Sequence, residues 1–168
     1  MVEPKPLVAV VMGSDSDVET MRRCADQLAT FGIACEMRVL SAHRTPQAAQ
    51  EYAASAAQRG LKVIIAGAGM SAALAGAIAA STTLPVIGVP IPSGPLGGVD
   101  AAVSTLQMPP GVPVACMSIG PAGATNAAIL AAEILALSDA DLAQKLREFK
   151  QSQAQAVTQK DAALRGGK

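Results

Sequence analysis

A histidine and an arginine stand side by side in this chain, and they are the side chains best suited to chemistry. His43 is the single histidine of the sequence, and Arg44 follows it directly. An imidazole accepts and donates protons near neutral pH, and a guanidinium binds an anion through paired hydrogen bonds. The pair therefore predicts proton transfer on a phosphorylated substrate. A helix-capping loop with an incidental histidine is the alternative interpretation.

A second polar cluster occupies residues 13–17, with the sequence Gly-Ser-Asp-Ser-Asp. The free backbone N–H groups at the start of a following helix, with the hydroxyls of Ser14 and Ser16, can bind phosphate oxygens. Asp17 is poorly suited to contact a phosphate, so we expect it to bind ribose hydroxyls or to fix the loop. A third segment, Ala-Gly-Ala-Gly at 66–69, has little side-chain bulk and would let a flat ring approach the backbone.

Five short apolar runs alternate with helical patterns, which predicts a parallel sheet covered on both faces. The predicted strands are residues 8–12, 34–40, 63–66, 85–89 and 112–117. The predicted helices are residues 16–31, 46–59, 72–80, 99–107 and 120–137. Ser16 and Glu19 have the spacing of a capping box, and Thr45 is predicted to cap the second helix. The predicted fold is α/β with an extra C-terminal helix, and for a flavodoxin-like three-layer sandwich of five strands the strand order is 2-1-3-4-5.

Ligands of open parallel sheets bind beyond the carboxyl ends of the strands, where the strand order reverses. In the predicted order this crevice lies between the first and third strands, with walls at residues 13–17, 41–44 and 66–71. His43 is the predicted catalytic residue. The predicted substrate-binding residues are Gly13, Ser14, Ser16, Asp17, Ser41, Ala42, Arg44, Ala68 and Gly69.

The end of the sequence predicts one more helix, capped by Ser138 or Asp139. Its apolar stripe consists of Leu142, Leu146 and Phe149. The stripe would pack on another subunit or across its own domain, and the sequence leaves both open. The chain has the length of one domain, which we place at residues 1–156, and a polar tail at 157–168 is expected to be frayed and flexible.

Composition argues against several classes of function. Equal numbers of basic and acidic side chains, 13 of each, leave no basic stripe, so we expect no nucleic-acid partner. One histidine with scattered cysteines predicts no metal, and the missing Walker and dinucleotide motifs predict no ATP or NAD cofactor. Reduced thiols and the absence of a secretory signal predict a cytoplasmic protein. The apolar stretch 63–80 favours a strand, a loop and a helix over a membrane span because glycines interrupt it.

Six segments, taken in order, resemble the PurE family of purine-synthesis enzymes over roughly residues 8–137. They are residues 12–17 (MGSDSD), 41–46 (SAHRTP), 66–69 (AGAG), 85–90 (PVIGVP), 107–109 (QMP) and 126–128 (NAA). The resemblance implies a flavodoxin-like domain, a homo-octamer in which the C-terminal helix reaches a neighbouring subunit, and no metal or organic cofactor. It also implies that N5-carboxyaminoimidazole ribonucleotide is converted to 4-carboxyaminoimidazole ribonucleotide.

The resemblance further implies a mechanism in which the carbamate releases carbon dioxide inside the closed site, the ring carbon recaptures it, and a histidine moves the ring proton. In this chain that histidine is His43. Ser14, Asp17 and Arg44 match the family's nucleotide-binding positions.

One segment departs from the family pattern. Bacterial mutases usually read Gly-Gly-Ala-Ala-His-Leu-Pro-Gly where residues 69–76 of this chain read Gly-Met-Ser-Ala-Ala-Leu-Ala-Gly. Ala73 therefore replaces a second histidine, and Ala75 replaces a proline. The animal-like branch, which uses carbon dioxide directly, also lacks this histidine but typically carries Lys where this chain has Arg44. We predict the mutase, while direct carboxylation and a diverged paralogue that acts on or binds another phosphorylated heterocycle stay open.

Overall fold

A computed structural model describes residues 5–166 of the chain. Five strands alternate with helices, and a short 3₁₀ turn, Asp15–Asp17, precedes the first helix. The elements are β1 (Val8–Met12), α1 (Val18–Thr30), β2 (Cys35–Val39), α2 (Pro46–Arg59), β3 (Val63–Gly69), α3 (Leu74–Ala79), β4 (Val86–Ile91), α4 (Val99–Leu106), β5 (Ala115–Cys116), α5 (Pro121–Ala136) and α6 (Ala140–Gly166).

All the strands are parallel, and their order is β2-β1-β3-β4-β5, so the predicted topology is confirmed. Each residue of β1, which lies between β2 and β3, is buried, as expected where helices cover both faces of a sheet. Val8 and Val10 point into the core under α1, α5 and α6, whereas Ala9 and Val11 point into the core under α2 and α3. The chain thus forms the three layers that its sequence predicts.

The helix α2 follows its sequence signals at both ends. Pro46 lies in its first turn, where no intrahelical partner is needed for a backbone N–H. Gly60 ends it in the left-handed conformation with φ 99°. The predicted bounds of this helix are confirmed. Thr45 is different, because its hydroxyl does not cap the helix.

Two predicted strand lengths are wrong. β3 continues to Gly69, because it pairs with β4 as far as Ile91, so the predicted glycine loop at 66–69 is the end of a strand. β5 has two residues instead of six. Pro113 lies in its predicted first half, and proline has no N–H to donate to a sheet ladder. The site-facing strand is therefore longer than predicted and the edge strand shorter.

The apolar stripe of α6 packs on its own domain. Leu142 and Leu146 are buried in the core beside α5, and the Phe149 ring lies edge-on to Phe31 at 5.3 Å between centroids. Asp139 is the cap, since its carboxylate accepts the N–H of Leu142 at 2.9 Å.

The helix runs through most of the predicted tail, as far as Gly166, with exposed side chains. This stretch is rich in alanine and glutamine, which are good helix formers. The rest of the predicted tail, residues 167–168, and the first four residues of the predicted domain lie outside the described residues. Within residues 5–166 none of the helices combines the length and the hydropathy that a membrane span requires.

Candidate active site

A cavity of about 330 Å³ opens at the carboxyl ends of β1, β2 and β3. β1 and β2 end side by side, since Leu40 donates its N–H to the Met12 carbonyl. β3, whose Gly67 carbonyl accepts the N–H of Gly13, continues to Gly69. The structure brings every residue of the predicted site to this cavity. Its lining includes Gly13, Ser14, Ser16, Asp17, Ser41, Ala42, His43, Arg44, Ala68 and Gly69.

The loop after β1 is fixed by its own side chains. The Ser14 hydroxyl accepts the N–H of Ser16 at 3.3 Å, and the Asp17 carboxylate accepts the N–H of Ser14 at 3.1 Å. This reciprocal pair is a capping box, so the capping box predicted from Ser16 and Glu19 is wrong by two residues. Two of the backbone donors predicted for a phosphate are therefore already engaged, and the Ser14 and Ser16 hydroxyls donate to the carboxylates of Asp15 and Asp17.

Asp17 is buried, with 5% of its surface exposed. Burial raises the pKa of its carboxyl, while the hydrogen bonds from the Ser14 N–H and the Ser16 hydroxyl lower it and the neighbouring Asp15 charge raises it. The sequence leaves two roles for Asp17, which are to bind ribose hydroxyls or to fix the loop. These contacts provide the structural basis for fixing the loop.

The loop after β2 is also tied to itself. The Thr45 hydroxyl accepts the N–H of Ser41 at 3.0 Å and donates to the Ser41 carbonyl, and the Ser41 hydroxyl accepts the N–H of Arg44 at 3.1 Å. These bonds use backbone groups and short hydroxyl side chains. The side chains of His43 and Arg44 extend, exposed, from a loop whose backbone is already fixed.

The third wall is built from small residues at the end of β3. A Cβ added to Gly67 would overlap the Met21 sulfur, and one added to Gly69 would overlap the Ser93 hydroxyl. Packing inside the protein is therefore sufficient to require glycine at both positions. The sequence-based reason, close approach of a ligand to the backbone, is not needed to explain them. Met70 and Ala72 follow with φ values of 54° and 27°, a conformation unfavourable for residues with a Cβ.

Several lining residues are absent from the predicted site. They are Met70, Ser71, Ala72, Ala73, Leu74 and Ser93. Two of them, Met70 and Ser71, fall within the predicted wall at 66–71 but not among the predicted binding residues. Ser93 follows β4, the strand that pairs with β3. The predicted crevice includes only the loops after β1, β2 and β3, so Ser93 is not part of it. Ala73 was singled out by its departure from the family pattern, and it lines the cavity.

The cysteines lie away from this cavity. Cys24 is buried and donates its thiol to the Ala124 carbonyl, and burial raises its pKa to about 12. Burial also raises the pKa of Cys35 and of Cys116. Within residues 5–166 no cluster of three or more histidine, cysteine or carboxylate side chains could hold a metal ion.

Comparison with known proteins gives consistent results. The family model described as AIR carboxylase matches residues 7–156. The N5-carboxyaminoimidazole ribonucleotide mutase of Bacillus subtilis (strain 168) is 53% identical over 160 residues, which are 95% of this chain and 99% of that protein. The protein of the same name from Aquifex aeolicus (strain VF5) is 55% identical over 142 residues, 84% of each chain.

Among solved structures, Treponema denticola PurE superposes with a TM-score of 0.85 at 34% identity, covering 95% of this chain and 98% of that one. The fold, the matched residues and the relatives agree with the resemblance drawn from the sequence. This chain belongs to the AIR carboxylase family, to which the PurE proteins belong.

Proposed function

We propose that this protein converts N5-carboxyaminoimidazole ribonucleotide to 4-carboxyaminoimidazole ribonucleotide in purine biosynthesis. The observation that carries the proposal is the position of the only histidine beside Arg44 at the cavity between β1 and β3. Two relatives that are 53% and 52% identical to this protein over 95% of its chain are named N5-carboxyaminoimidazole ribonucleotide mutase. Arg44 binds the phosphate through its guanidinium. The hydroxyls of Ser14 and Ser16 become further donors when they turn to the ligand from the carboxylates of Asp15 and Asp17, to which they donate in this structure.

The proposed reaction needs one group that both donates and accepts a proton. The carbamate N–C bond breaks, carbon dioxide leaves, and the amine nitrogen gains a proton from the His43 imidazolium. The electron pair of the ring carbon then attacks carbon dioxide, and that carbon returns its proton to His43. Atoms and charges balance within the substrate, so this isomerisation requires no metal and no organic cofactor. An exposed imidazole on a fixed loop suits this double role.

Direct carboxylation of aminoimidazole ribonucleotide is the second candidate, and Ala73 is the observation that favours it. This residue lines the cavity at the position where the bacterial mutases usually carry a second histidine. Together with Ala68 and Ala72 it gives one side of the cavity small apolar groups, which suit an uncharged molecule such as carbon dioxide.

The deciding experiment supplies the purified protein with the carbamate in one assay and with aminoimidazole ribonucleotide plus bicarbonate in another. Formation of the 4-carboxy product is followed in both. Faster turnover of the carbamate supports the mutase. If the protein turns over aminoimidazole ribonucleotide with bicarbonate but does not turn over the carbamate, it is a direct carboxylase. If it binds neither compound at millimolar concentration, a diverged paralogue is favoured.

We also propose that the protein is a cytoplasmic homo-oligomer, an octamer by resemblance. Between Lys62 and Glu133 the only charged residue is Asp100, so this half of the domain has an almost uncharged surface. On α4 the side chains of Val99 and Val103 are exposed, and Leu106 and the nearby Leu96 and Ile119 are exposed as well. An uncharged apolar face is complementary to a second copy of itself. Light scattering should give a multiple of the 16.8 kDa chain mass, and a monomer would refute the proposal.

A further inference from the structure

The loop after β3 contains backbone strain. Met70 and Ala72 are the two residues other than glycine, within residues 5–166, that have a positive φ. Both of them line the cavity. A left-handed conformation is unfavourable for a residue with a Cβ, and such strain persists where surrounding structure enforces it, often at functional sites. Its location therefore calls for a functional explanation.

The neighbouring loop holds this strained segment in place. The N–H of Ala72 donates to the Gly69 carbonyl at 3.0 Å, which closes a tight turn. Gly69 packs directly against the Ser93 hydroxyl, so the turn cannot move toward β4. The Met70 side chain passes over Gly94, since its Cγ lies 3.5 Å from the position that a Cβ on Gly94 would occupy. The turn thus places the Met70 side chain at the edge of the cavity.

Met70 differs from the other large apolar residue that lines the cavity. Leu74 is 1% exposed and belongs to the core, whereas Met70 is 58% exposed. The other large exposed side chains of the lining, His43 and Arg44, are polar. A thioether on a flexible side chain makes favourable contacts with aromatic rings. Met70 therefore has the chemistry to bind the ring of a ligand whose phosphate lies against Arg44.

We propose that Met70 is a substrate-binding and specificity-determining residue, whose thioether packs on the face of the substrate's five-membered heterocycle. The inference rests on the function proposed above and adds the group that selects a flat aromatic ring. The left-handed conformation is then the feature that directs this side chain toward the ligand instead of into the protein.

Three variants separate the side chain from the strain. Met70→Gly removes both the thioether and the strain, Met70→Leu keeps an apolar side chain, and Ala72→Gly relieves strain with only a methyl group lost. The measurements are the Kd for aminoimidazole ribonucleotide by calorimetry, the steady-state KM and kcat, and the Tm at one protein concentration.

For Met70→Gly we expect binding about tenfold weaker, KM raised in proportion and kcat unchanged, because a contact made equally in the ground and transition states is lost. Its Tm should rise by about 2–4 °C, since glycine adopts a positive φ without strain. Ala72→Gly should show the rise in Tm with a loss of affinity clearly smaller than that of Met70→Gly, because only a methyl group of the lining is removed. Met70→Leu should keep most of the affinity without a gain in Tm.

Equal affinity of Met70→Gly and the original protein would overturn the inference while leaving the proposed function intact. An equal loss of affinity in Met70→Gly and Ala72→Gly would also overturn it, because the loop conformation and not the thioether would then be responsible. Failure of the original protein to bind the ribonucleotide would overturn the proposed function and this inference together.

Discussion

The loops after β1 and after β3 form two walls of one cavity, and they reach their conformations in different ways. After β1, Ser14 and Asp17 cap each other's backbone, so polar side chains satisfy the turn. After β3, Ala73 is at the start of α3 without any side-chain cap, and the turn before it includes two residues with positive φ. One wall is held by local hydrogen bonds and the other by packing against its neighbours.

This difference separates two tasks. A wall that fixes its own backbone can present charged and hydroxyl groups at defined positions, as the loops bearing Ser14 and Arg44 do. A wall made of small residues and strained backbone sets the shape of the space. Substitutions in the polar walls should therefore alter proton transfer and anion binding, while substitutions after β3 should alter which ligand fits.

The largest effect is expected for His43→Asn on the polar side. No other histidine is available to carry the proton, so turnover should fall by about 10²–10⁴-fold or more. Binding of aminoimidazole ribonucleotide should stay within about tenfold of the original. The loop bonds between Ser41 and Thr45 do not involve the imidazole, so an unchanged Tm serves as the control for folding. Substantial remaining turnover would refute the role of His43.

Arg44→Ala should act mainly on binding. Loss of a charge-assisted contact to phosphate should weaken nucleotide affinity by about 1.5–3 kcal/mol, measured by calorimetry. Arg44→Lys is the matched control, because it keeps the charge and loses the paired donors, and its affinity should lie between the two. If both variants bind as well as the original protein, another group binds the phosphate.

Substitution of Asp17 is expected to have a smaller effect, which is on the stability of the fold. Asp17→Ala should lower the free energy of unfolding by about 1–2 kcal/mol, because the N–H of Ser14 loses its acceptor. Asp17→Asn keeps an acceptor and should be no less stable than the original near neutral pH.

The pH dependence follows from the sign of the Asp17 shift. Burial raises the pKa of this carboxyl above the usual 3.8, so the folded state binds its proton more tightly than the unfolded state does. The original protein should therefore gain stability relative to Asp17→Asn as the pH falls through the raised pKa, with the gain complete below the unfolded value. Urea unfolding of both proteins across this range measures the difference, and a constant difference would show that the carboxyl does not titrate as described.

The sequence predicts the polar walls better than the strained one. Apolar runs and turn signals predict β1 and α2, and local polar spacing indicates that residues 13–17 form a turn. The strand order comes instead from the family resemblance, which implies a flavodoxin-like domain. The packing of Gly69 against Ser93 and the positive φ of Met70 come from contacts between strands distant in sequence. Local pattern carries no signal for such contacts, which is why Met70 and Ser93 were not among the predicted binding residues. For the same reason the sequence leaves open whether the apolar stripe of α6 packs on its own domain or on another subunit.

The smallest effect is expected where a polar group is added to the strained wall. Ala73 is half-buried and lines the cavity, so Ala73→His would place a second imidazole in the cavity that His43 lines. If a second imidazole holds or protonates the carbamate, the rate with the carbamate should rise several-fold, with little change for aminoimidazole ribonucleotide plus bicarbonate. Ala75→Pro should be compatible with the backbone, because residue 75 lies in the first turn of α3.

The double variant and Ala75→Pro alone separate the imidazole from the stiffened turn. Only variants that carry Ala73→His should gain activity if the imidazole is responsible, whereas a gain in Ala75→Pro alone would assign the effect to the backbone. A protein that already turns over the carbamate efficiently and is slowed by Ala73→His would show that the second histidine is dispensable here. In that case the shape of the wall after β3, with Met70 at its edge, contributes more to the reaction than a polar group at position 73.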